Sequence, residues 1–154
     1  MKLYLVQHGE AKSEHEDPAR PLSEKGRKDV EKIAEFLKPL GLRVSKILHS
    51  GKLRAMQTAE ILSRAISSEQ GVQQASGLAP LDDPEEWAQK LQTETSDIVI
   101  VGHLPHLAKL AGLLFANDPE RAFLKFVQGA IFCLERDPEG TWVLEWGIVP
   151  QLIK

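Results

Sequence analysis

The amino-acid sequence predicts an α/β fold, a three-layer α/β/α sandwich with a mostly parallel central sheet. Short apolar runs typical of buried strands alternate along the chain with segments that have the spacing of amphipathic helices. Three of the apolar runs lead directly into a helical segment, as strands do in open α/β sheets. The chain has 154 residues, of which 42% are hydrophobic and 27% charged, which is enough for a single domain, residues 1–154, whose sheet is covered on both faces.

The first half of the chain is predicted to contribute two strands and two helices. Residues 3–7 form the first strand, and Ser23 caps a helix that reaches about Leu40, where Gly41 ends it in a left-handed conformation. A second strand over 44–48 and a second helix over 52–66 follow. The first helix presents one apolar face, which is formed by Val30, Ile33, Ala34 and Leu37.

The second half is predicted to hold two further helices, a buried strand and a β-hairpin. A polar link through Gln70-Gly71 and a short extended piece before Pro80 precede them. Pro84 stands at the start of the third helix, whose inner face carries Trp87 and Leu91. The elements that follow are a strand over 97–101, a helix over 105–116 and an antiparallel hairpin of strands near 128–136 and 142–148 at the sheet edge.

Composition excludes several classes of protein. The net charge of -3 argues against a nucleic-acid binder, which would show a basic stripe. No apolar stretch approaches the roughly 18 residues of a membrane span. The single cysteine, Cys133, excludes an internal disulfide and fits the reducing cytoplasm, and its place in a strand-like run favours a buried packing residue over a nucleophile.

Chemistry-bearing residues stand at the three strand-to-helix turns. His8 ends the first strand, and Gly9 after it lets the backbone turn sharply and approach an anion closely. Because ligands of open α/β sheets bind beyond the carboxyl ends of the strands, we expect His8, Arg54 and His103 to meet in one crevice. Two imidazoles and a guanidinium around an anion-sized space suit phosphoryl transfer, in which one histidine attacks phosphorus and cationic donors stabilise the oxygens.

Four motifs follow one another along the chain. They are His8-Gly9-Glu10-Ala11, then Arg20 to Gly26, then Ser50 with Leu53-Arg54-Ala55 and Gln57-Thr58-Ala59, and last Gly102-His103-Leu104-Pro105. In this order they resemble those of the histidine phosphatase superfamily, which has the phosphoglycerate mutase-like fold, and within it the short SixA-type phosphohistidine phosphatases. The resemblance implies that His8 is the nucleophile, His103 the second catalytic histidine and Arg54 a catalytic, phosphate-binding arginine.

Arg20 and Ser50 are two further candidates for phosphate contacts, and each could instead have an ordinary structural role. The resemblance places Arg20 against the pocket mouth, where it either contacts phosphate or the phosphorylated partner or forms a salt bridge. Ser50 either donates to the phosphoryl group or caps the helix that carries Arg54.

Gln7 is the one departure from the pattern, because the family has arginine before this histidine and glycine. Arginine supplies a fixed charge and a fork of donors, whereas Gln7 offers one NH₂ group. The loss of a charge-assisted hydrogen bond at a transition state can cost roughly 2–4 kcal/mol unless another group replaces it. Three interpretations stay open: a slow phosphatase, a phosphatase in which Lys12, Arg20 or Lys52 replaces the arginine, and a phosphate-binding protein without turnover.

Metal and cofactor chemistry is not predicted. His103 and His106 have a spacing that could chelate a metal, but a zinc site needs a third protein ligand. His49 ends a strand beside Ser50 and is interpreted as structural rather than as part of the pocket rim.

The chain offers no secure general acid, since Glu10, Asp82 and Asp83 are only candidates. Larger members of the superfamily use a carboxylic acid to protonate an alkoxide leaving group. Imidazole is a far better leaving group, so an enzyme that acts on phosphohistidine could work without such an acid. The short chain also leaves an open site that a side chain on another protein could enter.

The sequence therefore predicts a cytoplasmic phosphatase that removes phosphate from phosphohistidine on a protein. His8 forms a covalent phosphohistidine intermediate, and water then releases inorganic phosphate, while His103 and Arg54 neutralise charge and Gln7 donates a hydrogen bond. The predicted partner is a histidine-phosphorylated protein, with no nucleic acid and no membrane. Two alternatives stay open, a noncatalytic module that binds phosphate or phosphohistidine and a small-molecule phosphomonoesterase.

Overall fold

A mixed six-stranded sheet forms the centre of the computed structural model, which describes residues 1–154. Short 3₁₀ helices, Lys38–Leu40 and Pro150–Leu152, extend the regular structure after the first helix and after the last strand. The strands are β1 (Lys2–Gln7), β2 (Arg43–Val44), β3 (Lys46–His49), β4 (Ser67–Ser68), β5 (Val72–Gln74), β6 (Ile98–Gly102), β7 (Ile131–Arg136) and β8 (Trp142–Ile148), and the helices are α1 (Glu24–Leu37), α2 (Leu53–Leu62), α3 (Pro84–Thr93) and α4 (His106–Ala116).

The strand order across the large sheet is β5-β3-β6-β1-β7-β8. β5, β3, β6 and β1 are parallel neighbours, whereas β7 runs antiparallel to β1 and β8 antiparallel to β7. The register pairs Gln7 with Gly102 and His49 with Val101. The carboxyl ends of β1, β6 and β3 therefore lie side by side, and the mostly parallel sheet is confirmed.

The sheet separates two hydrophobic cores, because successive side chains of a strand point to opposite faces. On β1, Tyr4 and Val6 join the core that α1 and α2 cover. Leu3 and Leu5, between them in sequence, join the core under α3 and α4. This arrangement confirms the three layers. No helix combines the length and the apolar character that crossing a membrane requires.

Local signals set the ends of α1 as predicted. Ser23 Oγ accepts a hydrogen bond from the Gly26 N–H at 3.0 Å and caps the helix. The α-helical part ends at Leu37 because Pro39 has no N–H to donate, and a 3₁₀ turn takes the chain on to Gly41. Gly41 has the left-handed conformation (φ 61°) that the sequence predicts.

The third helix and the terminal hairpin also form where they are predicted. Asp83 caps α3 through its side chain, Pro84 is the first helical residue, and Trp87 and Leu91 are buried on the inner face. β7 and β8 pair as an antiparallel hairpin at the edge of the sheet.

Two predicted elements are wrong in extent, for one tertiary reason. The strand predicted over 44–48 is split at Ser45, because β2 leaves the large sheet and pairs with β4. The helix predicted over 52–66 ends at Leu62, because Ser67–Ser68 must be extended to pair with Arg43–Val44. The small β2-β4 sheet thus shortens both neighbours.

Candidate active site

The predicted site residues stand on neighbouring turns at the carboxyl edge of the sheet. His8 follows β1, Ser50 follows β3 and His103 follows β6, which lies between the other two strands. The His8 N–H donates to the Gly102 carbonyl oxygen at 3.1 Å and ties the first turn to the third. The fold therefore gathers residues that are distant in sequence.

His8 presents one free ring nitrogen. Its Nδ1 lies 2.7 Å from the Gly9 carbonyl oxygen, and because a carbonyl only accepts, Nδ1 carries the proton and Nε2 keeps its lone pair. His8 is buried. Burial, with the nearby Arg54 and Arg20 charges, lowers the pKa of His8 to about 4, although the Gly9 bond acts in the opposite direction. His8 is thus neutral at pH 7, the state in which Nε2 can attack phosphorus.

His103 packs against His8, with ring centroids 4.9 Å apart and ring planes tilted by 53°. Its Nε2 lies 2.6 Å from Ser50 Oγ, while its Nδ1 is buried without a hydrogen-bond partner. Burial, followed by the proximity of His8 and Arg54, lowers the pKa of His103 to about 3. An anion beside this pair would favour protonation of the imidazoles, since an opposite charge stabilises the charged form.

Three cations act on the two histidines. Arg54 lies in the first turn of α2, and its Nε is buried without a partner. Its charge lowers the pKa of both His8 and His103. The Arg20 charge acts on His8 and Arg54, and the Lys52 charge acts on His103. An anion fits this set, because it accepts from the free Nε and reduces the repulsion among the cations.

The loop after β1 folds Arg20 back toward the site. Ala11 pairs with Leu22, and the Lys12 N–H donates to the Pro21 carbonyl oxygen at 2.8 Å, which closes the base of the loop. Arg20 has a φ of 48°, in the left-handed region that residues with side chains seldom adopt. Its Nε donates to the Lys12 carbonyl oxygen at 3.0 Å, so the two Nη groups remain available to an anion.

Gln7 occupies the end of β1 next to His8 and is buried. Its backbone is held on one side by Ala130 and Gly129, through hydrogen bonds of 3.2 and 3.0 Å. Its Oε1 has no hydrogen-bond partner. Rotation of the amide would turn the NH₂ group into the same position, so Gln7 can donate a hydrogen bond but no charge.

Thr58 holds the His8 turn against α2. Its Oγ1 accepts a hydrogen bond from the Gly9 N–H at 3.0 Å and donates to the Arg54 carbonyl oxygen at 2.8 Å. The bridging role of Thr58 is not predicted from the Gln57-Thr58-Ala59 motif, although Thr58 stands four residues after Arg54 and hence on the same helix face. One hydroxyl therefore positions both the nucleophile turn and the helix that carries the arginine.

Gly9 permits the close packing of α1 on the His8 turn, and its role in the approach of an anion stays a prediction. A Cβ on Gly9 would lie 2.7 Å from Val30 Cγ2 and 3.0 Å from the Gly26 carbonyl oxygen, both on α1. A Cβ on Gly26 would in turn overlap the Glu10 backbone. The two glycines let α1 pack directly on the His8 turn.

Ser50 contacts His103 and does not cap α2, so the capping interpretation is wrong. The N-cap residue of α2 is Lys52, without a side-chain hydrogen bond. The Ser50 hydroxyl oxygen lies 3.3 Å from the Lys52 N–H, outside the helix. Its short contact to the imidazole leaves it beside the predicted phosphate position.

The candidate acids are engaged in local structure. Glu10 Oε2 accepts a hydrogen bond from Ser23 Oγ at 2.6 Å. Asp82 Oδ2 accepts one from the Ala79 N–H at 2.9 Å, and Asp83 caps α3. These bonds tie the three carboxylates to helix starts and a turn.

The other candidate groups have structural surroundings. His49 Nδ1 accepts a hydrogen bond from the Gly51 N–H at 3.0 Å, in agreement with its structural interpretation. His106 is buried and neither of its ring nitrogens has a partner, and no group of three or more potential metal ligands forms. Cys133 is buried, which raises the pKa of its thiol to about 12 and confirms it as a packing residue.

The chain is similar in sequence to known proteins. Residues 3–82 match the family model described as the histidine phosphatase superfamily (branch 1). An uncharacterized protein of Picosynechococcus sp. is 38% identical over 118 residues, which cover 72% of this chain and 71% of that protein. The phosphohistidine phosphatase SixA of Escherichia coli (strain K12) is 26% identical over 160 residues, which cover all of this chain and 97% of that protein.

Solved structures share the fold. The structure of the protein histidine phosphatase SixA complexed with tungstate has a TM-score of 0.86 at 24% identity, with complete coverage of both chains. The alpha-ribazole phosphatase of Shigella flexneri has a TM-score of 0.74 at 16% identity, over 94% of this chain and 95% of that one. At these identities the likeness shows the fold alone, which carries phosphatases for different substrates.

Proposed function

The chain belongs to the histidine phosphatase superfamily (branch 1), and we propose that it removes the phosphoryl group from phosphohistidine on another protein. The family match and the full-length similarity to a phosphohistidine phosphatase support a phosphatase. The state of His8 is the observation that carries the proposal. Its Nδ1–H is held by Gly9, its Nε2 is free, and His103 lies against it.

The proposed reaction has two steps. In the first, the Nε2 lone pair of His8 attacks phosphorus, the Nε2–P bond forms and the P–N bond of the substrate breaks. The departing imidazole keeps the electron pair and takes a proton from solvent. In the second step, water attacks phosphorus, the Nε2–P bond breaks with its electrons returning to His8, and phosphate leaves with the oxygen of that water.

The remaining site residues bind and stabilise the phosphoryl oxygens. We assign this role to Arg54, His103, Ser50, Gln7 and Arg20. Cationic and N–H donors at these oxygens lower the barrier because negative charge is concentrated there during transfer. Of the three cations considered as replacements for the family's arginine, we propose Arg20, because its charge acts on both His8 and Arg54.

Phosphohistidine is the substrate class that we propose, because the three candidate acids are held in hydrogen bonds of the fold. Hydrolysis of a phosphate ester needs an acid to protonate the alkoxide, and Glu10, Asp82 and Asp83 are each bound elsewhere. An imidazole leaves without that assistance. We further propose that no metal takes part, since a histidine nucleophile and cationic side chains supply the chemistry, and that the protein acts in the cytoplasm.

Trapping of the intermediate tests the proposal. A histidine-phosphorylated protein carrying labelled phosphate is mixed with the enzyme and quenched in base after a short time. We expect base-stable, acid-labile label on His8, no label in His8→Ala, and unchanged turnover in EDTA. His15→Ala, on the exposed loop after β1, is the matched control. Label on Ser50, or full turnover by His8→Ala, would show that another residue is the nucleophile.

The same labelling experiment distinguishes the proposed phosphatase from a noncatalytic binding module. It is favoured by one observation, the lack of charge at Gln7. A protein that binds the labelled substrate but neither acquires label nor releases phosphate would be a binding module. Faster release from aryl or sugar phosphates than from phosphohistidine would identify a small-molecule phosphomonoesterase.

A further inference from the structure

We propose that His103 acts on the phosphoryl group as a neutral ring and through the hydroxyl of Ser50. In this hydrogen-bond relay His103 Nε2–H donates to Ser50 Oγ, and the Ser50 O–H donates to a phosphoryl oxygen. The inference rests on the proposed function and specifies which of the two side chains touches the substrate. Ser50 is then the catalytic residue, and His103 is a positioning residue that polarises its hydroxyl.

Neither ring nitrogen of His103 is free to contact a ligand directly. Nε2 lies 2.6 Å from Ser50 Oγ, and Nδ1 is buried without a hydrogen-bond partner. The residue as a whole is 1% exposed, whereas Ser50 is half-buried at the carboxyl edge of the sheet. A phosphoryl group that enters from solvent can meet the Ser50 hydroxyl with the contact to His103 kept, but a direct bond to Nε2 would break that contact.

The position of the ring proton follows from the orphaned Nδ1. A neutral imidazole carries its proton on one nitrogen, and a buried N–H without an acceptor is rarer in proteins than a buried acceptor without a donor. The proton therefore belongs on Nε2, which donates it to Ser50 Oγ. Because Ser50 Oγ also accepts from the Lys52 N–H at 3.3 Å, both of its lone pairs are engaged and its own hydrogen is left to donate.

The surroundings of His103 oppose a second proton on its ring. That proton would have to sit on Nδ1, where no acceptor is available. The charged groups that act on the ring are all basic, and they are His8, Arg54, Lys52 and His106. Burial, followed by the charges of these groups, lowers the pKa of His103 to about 3. A neutral ring still polarises the Ser50 hydroxyl, because hydrogen bonds in a chain strengthen one another.

Nitrogen NMR of the imidazole rings tests the position of the proton. We expect His103 to be neutral at pH 7, with its proton on Nε2, both in the free protein and with saturating inorganic phosphate. A proton on Nδ1 in the free protein, or a doubly protonated ring in the phosphate-bound protein at pH 7, would overturn the proposal. The measurement needs no turnover, so it decides the inference whichever substrate the protein has.

Variants that separate the donor from the ring test the relay in catalysis. His103→Gln keeps an N–H donor for Ser50 but cannot become cationic, and it should retain kcat within about threefold of wild type. His103→Phe keeps a ring against His8 without a donor, and it should lower kcat at least about tenfold. Ser50→Ala should lower kcat about a hundredfold, because the donor to the phosphoryl oxygen is lost. The double variant Ser50→Ala/His103→Phe should lose little more than Ser50→Ala, since both changes interrupt one relay.

Ser63→Ala is the matched control, because Ser63 Oγ donates to the Glu60 carbonyl oxygen at 2.6 Å at the carboxyl end of α2, and its kcat should be unchanged. Between about pH 6 and pH 8, the pH profile of kcat/KM should be the same for His103→Gln and the wild type. A fall in wild-type activity with rising pH that His103→Gln lacks, or additive losses in the double variant, would overturn the relay, while label on His8 upholds the proposed function. Absence of turnover and of label in the wild type would overturn the proposed function, and the NMR measurement with phosphate would still decide the relay.

Discussion

The residue before His8, Gln7 at the end of β1, has no charge. The positive charge that acts on His8 from this part of the chain belongs to Arg20, in the loop that follows β1. The left-handed conformation of Arg20 is a strained state for a residue with a side chain, and the closed loop maintains it. Gln7 cannot supply the positive charge that Arg20 provides. The proposed enzyme therefore depends on a loop arginine, whose position is set by backbone bonds that a strand residue would not need.

We predict that Arg20→Gln lowers kcat/KM on free phosphohistidine by roughly tenfold to a hundredfold, because one charged donor is lost at the transition state. Gln7→Arg alone should raise turnover less than about tenfold, since a cation is already close. In the double variant Gln7→Arg/Arg20→Gln the loss should be smaller than in Arg20→Gln. The measurement is a double-mutant cycle in kcat/KM.

The double-mutant cycle needs a control variant. It also needs a measurement that distinguishes the loss of the Arg20 charge from a loss of order in the loop. Arg43→Gln removes an exposed arginine at the other end of the sheet and should change nothing. Because the Arg20 charge lowers the pKa of His8, that pKa should rise in Arg20→Gln when it is followed by imidazole NMR. If Gln7→Arg gains far more than tenfold and Arg20→Gln loses nothing, Gln7 impairs the site and Arg20 does not replace the arginine.

The depressed pKa values of the two histidines predict how the free site titrates. Imidazole NMR should show His8 changing charge near pH 4 and His103 near pH 3, against about 6.5 for both in the urea-unfolded chain. Inorganic phosphate should move both values upward, because an anion favours the protonated ring. Titration of both rings near 6.5 in the folded protein, or indifference to phosphate, would contradict an anion site between them.

Thr58 joins the turn after β1 to α2. We predict that Thr58→Val destabilises the protein by about 1–3 kcal/mol, since the Gly9 N–H loses its acceptor in a buried place. The same variant should also reduce kcat, because the turn that carries His8 is no longer held. Urea unfolding and steady-state kinetics measure the two effects.

Thr58→Ser is the matched control, because serine keeps the hydroxyl that bridges Gly9 and Arg54. It should retain most of the activity and lose only the stability that the missing methyl group provides. Equal kinetic losses in the valine and serine variants would show that the hydroxyl does not position the turn.

The elements that local signals determine were predictable from the sequence. Ser23 and Gly41 mark the ends of the first helical segment, and alternation along residues 3–7 distinguishes the two faces of β1. The convergence of His8 and His103 follows from the rule that parallel strands share a carboxyl edge. These features depend on neighbours in sequence or on the fold class.

Features that depend on contacts between distant segments were not predictable. The end of α2 at Leu62 is set by the pairing of Ser67–Ser68 with Arg43–Val44, and Ser67–Ser68 has no strand pattern in the sequence. The contact of Ser50 with His103 and the bridge through Thr58 join residues from different elements. Each of these requires the relative placement of the elements, which one sequence does not specify.

Buried histidines make the free energy of unfolding of this protein depend on pH. Burial lowers the pKa of His8, His49, His103 and His106, so the unfolded chain binds more protons than the folded one below about pH 6.5. The stability that neutral imidazoles allow is fully present above that pH. It is lost as the pH falls through the folded pKa values, which are about 4 for His8 and about 3 for His103.

The effect of a buried histidine on stability can be measured apart from catalysis at His106, which is buried and whose two ring nitrogens have no hydrogen-bond partner. We predict that His106→Leu raises the free energy of unfolding by about 1 kcal/mol at pH 7, since a buried polar group without a partner is removed. The gain should grow between pH 6.5 and 5, because the variant no longer loses the contribution of one neutral imidazole. Urea unfolding at several pH values measures both quantities.

His49→Leu is the control with the opposite expected sign, because His49 Nδ1 accepts from the Gly51 N–H and the leucine would remove that acceptor. The leucine variant at position 106 should also keep the His8 and His103 titrations near their wild-type values, apart from a small upward shift of His103, whose pKa the neighbouring His106 depresses. Destabilisation by His106→Leu at pH 7 to the same degree as His49→Leu would mean that the ring of His106 satisfies a polar group of the fold. In that case the acid sensitivity of the molecule would lie with the two site histidines and His49.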